Sequence, residues 1–217
     1  MNAEIEAAIE ELYAAFRRPT PGRVEGCPCC TTEAELRALV GTPLRGLTAK
    51  HLWRYAFSVM LTVGGPHDLR YFWPRLMELA ARDEPPADLE VILAKPRLAG
   101  WRDWPEREQT AMERFIAAII GDWAVTEHDP FVVDSWICGF GRLVEELPPR
   151  LAPLLRDTPA AAANLAGLHS VNLPEIAEGR PSNAFWSDHP RAAAEFAAWL
   201  GGDEVAAALA RSADAGS

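Results

Sequence analysis

Apolar residues recur at spacings of three and four along most of this chain, and no stretch shows the alternating β-branched pattern of a strand. The first stripe, Ile5, Ile9, Leu12, Tyr13 and Phe16, predicts a helix from Asn2 or Ala3 to Phe16. Pro19, Pro21 and Gly22 end it. Thr32 and Glu35 then match a capping box, in which each residue's side chain bonds the other's backbone N–H, and predict a short helix from Glu33 to about Val40. Thr48 marks the next N-cap. Leu52, Tyr55, Ala56, Val59, Met60 and Val63 follow as one stripe and Trp53, Phe57 and Leu61 as a second, which predicts a central helix, apolar on two faces, up to Gly64-Gly65-Pro66. Asp68 opens a further helix with the stripe Leu69, Phe72, Trp73, Leu76, Met77 and Ala80. Pro74 falls inside it and predicts a kink or a restart, because proline lacks the N–H that a helix interior needs.

A weaker helix is expected from Ala87 to Ala94, and Lys95 to Trp104, with Pro96, Gly100 and two tryptophans, reads as a packed connection. Pro105 starts the clearest helix, whose inner face is Met112, Phe115, Ile116, Ile119, Ile120 and Trp123. Asp129-Pro130 starts another, with Val133, Trp136, Ile137, Phe140 and Val144 inward. Four short helices complete the reading: Pro149 to Arg156, Pro159 to about Ser170, Pro190 to Leu200, and Asp203 to Arg211, with Asn172 to Asp188 irregular. The fold class is therefore all-α, with antiparallel helix pairs stacked as an irregular, HEAT-like α-solenoid or packed as a helical bundle. The pairs share no sequence period. One all-helical domain over 1–217 is expected, with 95–104 the place for any subdivision.

Composition narrows the function classes. A net charge of −10 with scattered Lys and Arg disfavours a grip on nucleic acid, which needs clustered cations to displace counterions. No run of eighteen uncharged apolar residues marks a membrane span, and MNAEIEAAIEEL lacks the basic-then-apolar order of a signal peptide. Four cysteines, two of them adjacent, make no disulfide framework, so a reducing cytoplasm is the expected compartment.

Three of those cysteines fall in Cys27-Pro28-Cys29-Cys30, two residues ahead of the Thr32 cap. Three readings fit them. A Cys27-x-x-Cys30 knuckle supplies two zinc ligands with the usual spacing, with Cys29 as a third and His51 as a fourth if the neighbouring helices fold back. Thiols beside a helix N-terminus also suit redox chemistry, although the thioredoxin-like βαβ setting is missing. The plainest reading is reduced cysteine acting as a small packing residue in a tight turn, and Cys138, between Ile137 and Phe140, reads as core in the same way.

Elsewhere, His67, Arg70 and Tyr71 follow the Gly-Gly-Pro turn and are candidates to line a binding surface, while Asp68 serves equally as a cap. Trp53, Trp73, Trp123, Trp136 and Trp199 fall on stripes and read as core. Trp101, Trp104 and Trp186 lie in connections, where they either plug gaps between helices or present an aromatic contact surface. His128-Asp129-Pro130 and Asp188-His189-Pro190 read as caps. Neither a His-Glu-x-x-His helix nor a nucleophile with a local base is present.

The stretch from Cys27 to Leu79 carries a Cys-x-x-Cys turn, Pro43-Leu44-Arg45-x-Leu47, Tyr55-Ala56-Phe57 and Asp68-x-Arg70-Tyr71-Phe72-x-Pro74-Arg75. It resembles a group of uncharacterised bacterial helical proteins with the same succession. The resemblance covers about a quarter of the chain and brings no activity with it; it implies that Cys27 and Cys30 are the matching pair and Cys29 incidental. The leading expectation is a helical scaffold that binds another protein, with neither nucleic acid nor membrane as partner and with no cofactor. The first alternative is a zinc- or thiol-dependent module built on the 27–30 turn, and the second is an enzyme with a site between helices.

Overall fold

A computed structural model describes residues 2–215, and every regular element among them is helical. Its contacts divide the chain into two compact units, one up to Phe115 and one from Ile116 on; the division falls inside a helix, beyond the 95–104 connection. No helix among the described residues is long and apolar enough to cross a membrane.

In the first unit, α1 (Ala3–Ala15) starts where the Asn2 side chain accepts the Ile5 N–H at 2.9 Å. α2 (Glu33–Gly41) carries the capping box expected of Thr32 and Glu35, and α3 (Ala49–Ser58) is capped by Thr48. α4 (Pro66–Ala81) and α5 (Leu89–Leu98) follow, with α1 packed on α4, α4 on α5, and both α2 and α5 against α3.

The end of α3 departs from the reading of the stripes. Instead of continuing to Val63, the helix stops at Ser58, and the N–H groups of Leu61, Thr62 and Val63 converge on the Ser58 carbonyl at 3.0 to 3.2 Å. Met60 takes a left-handed φ of 69°, a strain of roughly 1–2 kcal/mol for a residue with a Cβ. Two backbone bonds offset it: Cys27 N–H donates to Thr62 C=O at 2.8 Å, and Gly64 N–H donates to Glu25 C=O at 2.7 Å. The cysteine segment and the 62–64 segment thus pair antiparallel, a long-range contact that helical periodicity does not register. The second stripe consequently stays in solvent, with Trp53, Phe57 and Leu61 at 45%, 41% and 69% exposure. α3 is not the central helix expected, and Trp53 is not core.

Asp68 is the third residue of α4 rather than its cap. The helix begins at Pro66, and the Asp68 carboxylate accepts the Gly65 N–H at 2.9 Å. Pro74 neither ends nor restarts the helix. Its missing N–H costs about 3 kcal/mol, and the local burial of Leu69, Phe72, Trp73, Leu76 and Met77, at about 1.5–3 kcal/mol apiece, is larger. α5 likewise runs through Pro96 to Leu98, past its expected end at Ala94. A short 3₁₀ turn, Trp101–Asp103, then leads to α6 (Glu106–Asp122).

In the second unit, α8 (Pro159–Ile176) packs against α7 (Pro130–Leu143), α9 (Pro190–Leu200) and α10 (Asp203–Ala215). Pro148, Pro149 and Pro153 remove three amide donors, and the segment expected as a helix from Pro149 is a 3₁₀ run from Pro148 to Leu155. Conversely, α8 continues through Asn172 and Pro174, where an irregular segment was expected. Buried Asn172 accounts for this: it donates to Asp134 Oδ1 at 2.8 Å and accepts the Ser182 N–H at 2.9 Å, so both its amide atoms are satisfied in the helical position. Trp199 is half-buried.

Trp186, stacked on Phe196 at 5.3 Å, lies directly against Gly141 of α7, where a Cβ would overlap its ring. Gly141→Ala is therefore expected to destabilise the protein: overpacking costs about 1–3 kcal/mol and exceeds the ~1 kcal/mol that alanine contributes in a helix. Gly121→Ala in α6, where a Cβ meets nothing within 4 Å, is expected to stabilise by up to ~1 kcal/mol. Urea unfolding of both variants beside the wild type reads the opposite signs.

Candidate metal centre

The cysteine turn is fixed from both ends. Gly26 lies under Thr31, whose methyl would be 2.6 Å from any Cβ at position 26. Cys30 and Thr31 donate their N–H groups to the Cys27 carbonyl at 2.9 and 3.1 Å, closing a tight turn, and Cys27 itself is tied to Thr62. On the other side the α2 capping box pins Thr32. Glu35 Oε2 accepts from Thr32 N and Oγ1 at 2.8 and 2.9 Å, while Oε1 accepts from Arg54 Nε at 3.0 Å. Arg54 then donates through Nη1 to the Cys30 carbonyl at 3.0 Å.

Within this frame, Cys27, Cys29 and Cys30 form the one set of three or more potential metal donors among the described residues, with all three sulfurs within 4.8 Å of one another. Cys27 and Cys29 sulfurs are 2.8 Å apart, and Cys29 and Cys30 sulfurs 3.6 Å. All the cysteines are free thiols; Cys29 is exposed, Cys27 and Cys30 are half-buried, and Cys138 is buried in α7 as expected. The arrangement splits the thiols electrostatically. The Cys29 thiol, followed by the backbone N–H groups of Cys29 and Cys30, holds Cys27 below its usual range. Cys29, which hydrogen-bonds to the sulfurs on either side, is pushed up to about 11.

The donor set fits a thiophilic ion. Tetrahedral zinc thiolates, with Zn–S near 2.3 Å, space their sulfurs about 3.8 Å apart. The 3.6 Å pair matches that spacing, and the 2.8 Å pair has to open by about 1 Å, within reach of χ1 adjustments in an exposed turn. His51 does not complete the set. It is exposed, lies outside the cluster, and places its Nδ1 3.1 Å from both the N and Oγ1 of Thr48 as the N-cap partner of α3.

The other candidates scatter. Trp101, Trp104 and Trp186 are 2%, 6% and 2% exposed, so they plug gaps and offer no aromatic contact surface. Tyr71 is buried with its hydroxyl 3.0 Å from Thr20 Oγ1, and Arg70 grips Glu108 through two bonds of 2.7 and 2.8 Å. His67 is exposed. A cavity of about 320 Å³ against α2 includes Arg23, Glu33 and Arg37 but none of the thiols. Sequence reasoning missed Arg54 and Thr62, the two residues that seat the turn. One signal was present for Arg54: residues 36–67 hold Arg37, Arg45, Lys50 and Arg54 and no carboxylate, so those cations have to find partners elsewhere. Nothing local marks the Thr62 carbonyl.

Comparison with protein-family models, with curated proteins and with solved structures finds nothing that matches this chain.

Two outcomes follow from the titrations. In metal-free protein near neutral pH, limiting iodoacetamide is expected to modify Cys27 before Cys29, because only the former is enriched in thiolate, and peptide mass mapping reads the order. Glu35 is held down to about 2, first by the Thr32 N–H and then by its hydroxyl. Its bonds therefore contribute stability above the ordinary carboxylate value of 4.5, and that contribution is lost as pH falls through about 2. Glu35→Gln should lower the unfolding midpoint at pH 7, with the gap to wild type closing between pH 4.5 and 2.

Proposed function

We propose that this protein is a metal-binding helical module in which Cys27, Cys29 and Cys30 hold one zinc ion as thiolates. The observation that carries the reading is the convergence of three sulfurs within 4.8 Å on a turn whose backbone is fastened by Thr62 and Arg54. Packing alone asks for no such convergence, since exposed Cys29 fills no gap. Zinc suits the set because three soft sulfur donors select d¹⁰ or other thiophilic ions over Mg²⁺ or Ca²⁺, and a cation removes the repulsion among crowded thiolates. Cys29, incidental under the resemblance to the Cys-x-x-Cys group, supplies the sulfur closest to Cys27. Zinc here locks the 27–30 turn, whose backbone is bonded to Thr62 beyond the end of α3. Metal affinity is accordingly coupled to the order of that turn.

Elemental analysis of protein purified without chelator is expected to give close to one zinc per chain. Free-thiol titration should find the three clustered cysteines protected until a chelator is added. A Cys27→Ser, Cys30→Ser double variant should lose the zinc and keep its helical circular dichroism. Metal-free wild type with all three thiols titrating at once would sink the reading.

A further inference from the structure

Two polar clusters outside the cysteine turn are absorbed by the packing. Asp122, His128 and Thr126 form a tight group with His128 Nε2 2.7 Å from Asp122 Oδ2, but the Thr126 hydroxyl donates to Asp122 Oδ1 at 2.9 Å and so is not bonded to the imidazole as a base-activated nucleophile would be. Asp134, Asn172 and Asn183 satisfy one another in the packing of α7 and α8. The thiolate turn carries an inference further, because its donor set stops at three.

Resting on the zinc reading above, we infer that the bound ion keeps one coordination position open to solvent and takes a low-molecular-weight thiol there as its fourth ligand. Zinc completes four ligands, and sites with three protein donors give the fourth position to water or substrate. No fourth His, Cys, Asp or Glu joins the cluster among the described residues. His51 is committed to Thr48, and Glu35 of α2 is committed to Thr32 and Arg54. The open side is accessible, since Cys29 is exposed.

Two features select a thiol over a harder ligand. The ion already carries three sulfurs, which favour a further soft donor. Adding a thiolate brings the centre from net −1 to net −2, a charge screened by solvent at the exposed turn, since the Arg54 guanidinium is already paired with Glu35. Arg54 lies 4.7 Å from the centroid of the Trp53 ring, which meets Phe57 edge-on at 6.4 Å, so exposed apolar surface stands beside the turn for the carbon portion of the ligand. The step balances without redox change. The metal–water bond breaks, the thiol S–H releases its proton to solvent, the metal–sulfur bond forms, and the bound thiolate remains the nucleophilic form of sulfur at neutral pH.

The test replaces zinc with Co²⁺ in the full-length chain under anaerobic conditions and titrates 2-mercaptoethanol, with ethylene glycol as the oxygen analogue. The expected result is one cobalt per chain, a tetrahedral spectrum, and sulfur-to-cobalt charge-transfer absorption that rises by about one third and saturates as three sulfur ligands become four. Ethylene glycol should leave the spectrum unchanged, and light scattering should show the same mass with and without the thiol. Stoichiometric cobalt that ignores the thiol would overturn the inference and leave the metal site standing. So would a four-sulfur spectrum before any addition, or one that appears only with doubling of the mass, since either places the fourth ligand on protein. Thiol that strips the cobalt overturns it too, and failure to bind cobalt at all removes both this inference and the zinc reading.

Discussion

Glu108 is a carboxylate with no solvent contact, and the first unit is arranged around neutralising it. Its Oε1 receives Arg18 Nη2 at 2.6 Å and Arg70 Nη2 at 2.8 Å, and its Oε2 receives Arg70 Nε at 2.7 Å, so three charge-assisted bonds replace the hydration that burial removed. The cluster joins three places: Glu108 at the start of α6, Arg70 in the first half of α4, and Arg18 in the segment leaving α1. Losing either arginine would leave a buried charge under-compensated, a penalty of about 3–5 kcal/mol for buried pairs. Arg18 registers the tension directly, since desolvation lowers its pKa while the Glu108 charge raises it. The consequence reaches the thiols, because the segment that Arg18 anchors runs through Thr20, bonded to Tyr71, into the cysteine turn.

The far end of that segment is held by one residue with two tasks. Glu35 uses one oxygen to complete the N-cap of α2 and the other to aim Arg54, and Arg54 spends its remaining reach on the Cys30 carbonyl. A helix cap and a candidate ligand turn therefore share a single carboxylate. The Cys27 to Thr62 and Gly64 to Glu25 backbone bonds close the third side. Bonds from α2, α3 and the turn after α3 thus bear on the four residues 27–30 and fix the backbone from which the three sulfurs project.

What could be read from the chain beforehand follows the range of each interaction. Caps and first-turn prolines act over three or four residues, so Thr32, Thr48, Asp129-Pro130 and Pro159 located helix starts from local chemistry alone. The errors fall where a distant partner decides. Ser58 ends α3 because the following residues pair with 25–27, and α8 passes Asn172 because Asp134 receives its amide. Pro74 stays in α4 because the neighbouring helices bury the side chains around it. For the site, the three cysteines were legible as a cluster, since sequence adjacency limits how far apart they can lie. Excluding His51 required the Thr48 cap geometry, and assigning Trp101, Trp104, Trp186 and Tyr71 to packing required knowing what covers them.

The thiol cluster is itself a local conflict. Three thiols within 4.8 Å cannot all ionise without mutual repulsion, and the result is one sulfur held below its usual range beside another pushed up to about 11. Nothing in the surrounding pairings forces the sulfurs together, for the backbone bonds to Thr62 and Arg54 fix the turn and leave χ1 of each cysteine to choose. A divalent ion resolves the conflict at once, because each thiolate then faces a cation at about 2.3 Å instead of another thiolate. Under the zinc proposal, binding would replace this crowding of thiols with three metal–sulfur bonds. Because Cys27 and Cys30 are anchored through their backbones to Thr62 and Arg54, any gain in order on metal binding would reach the end of α3 as well as the loop.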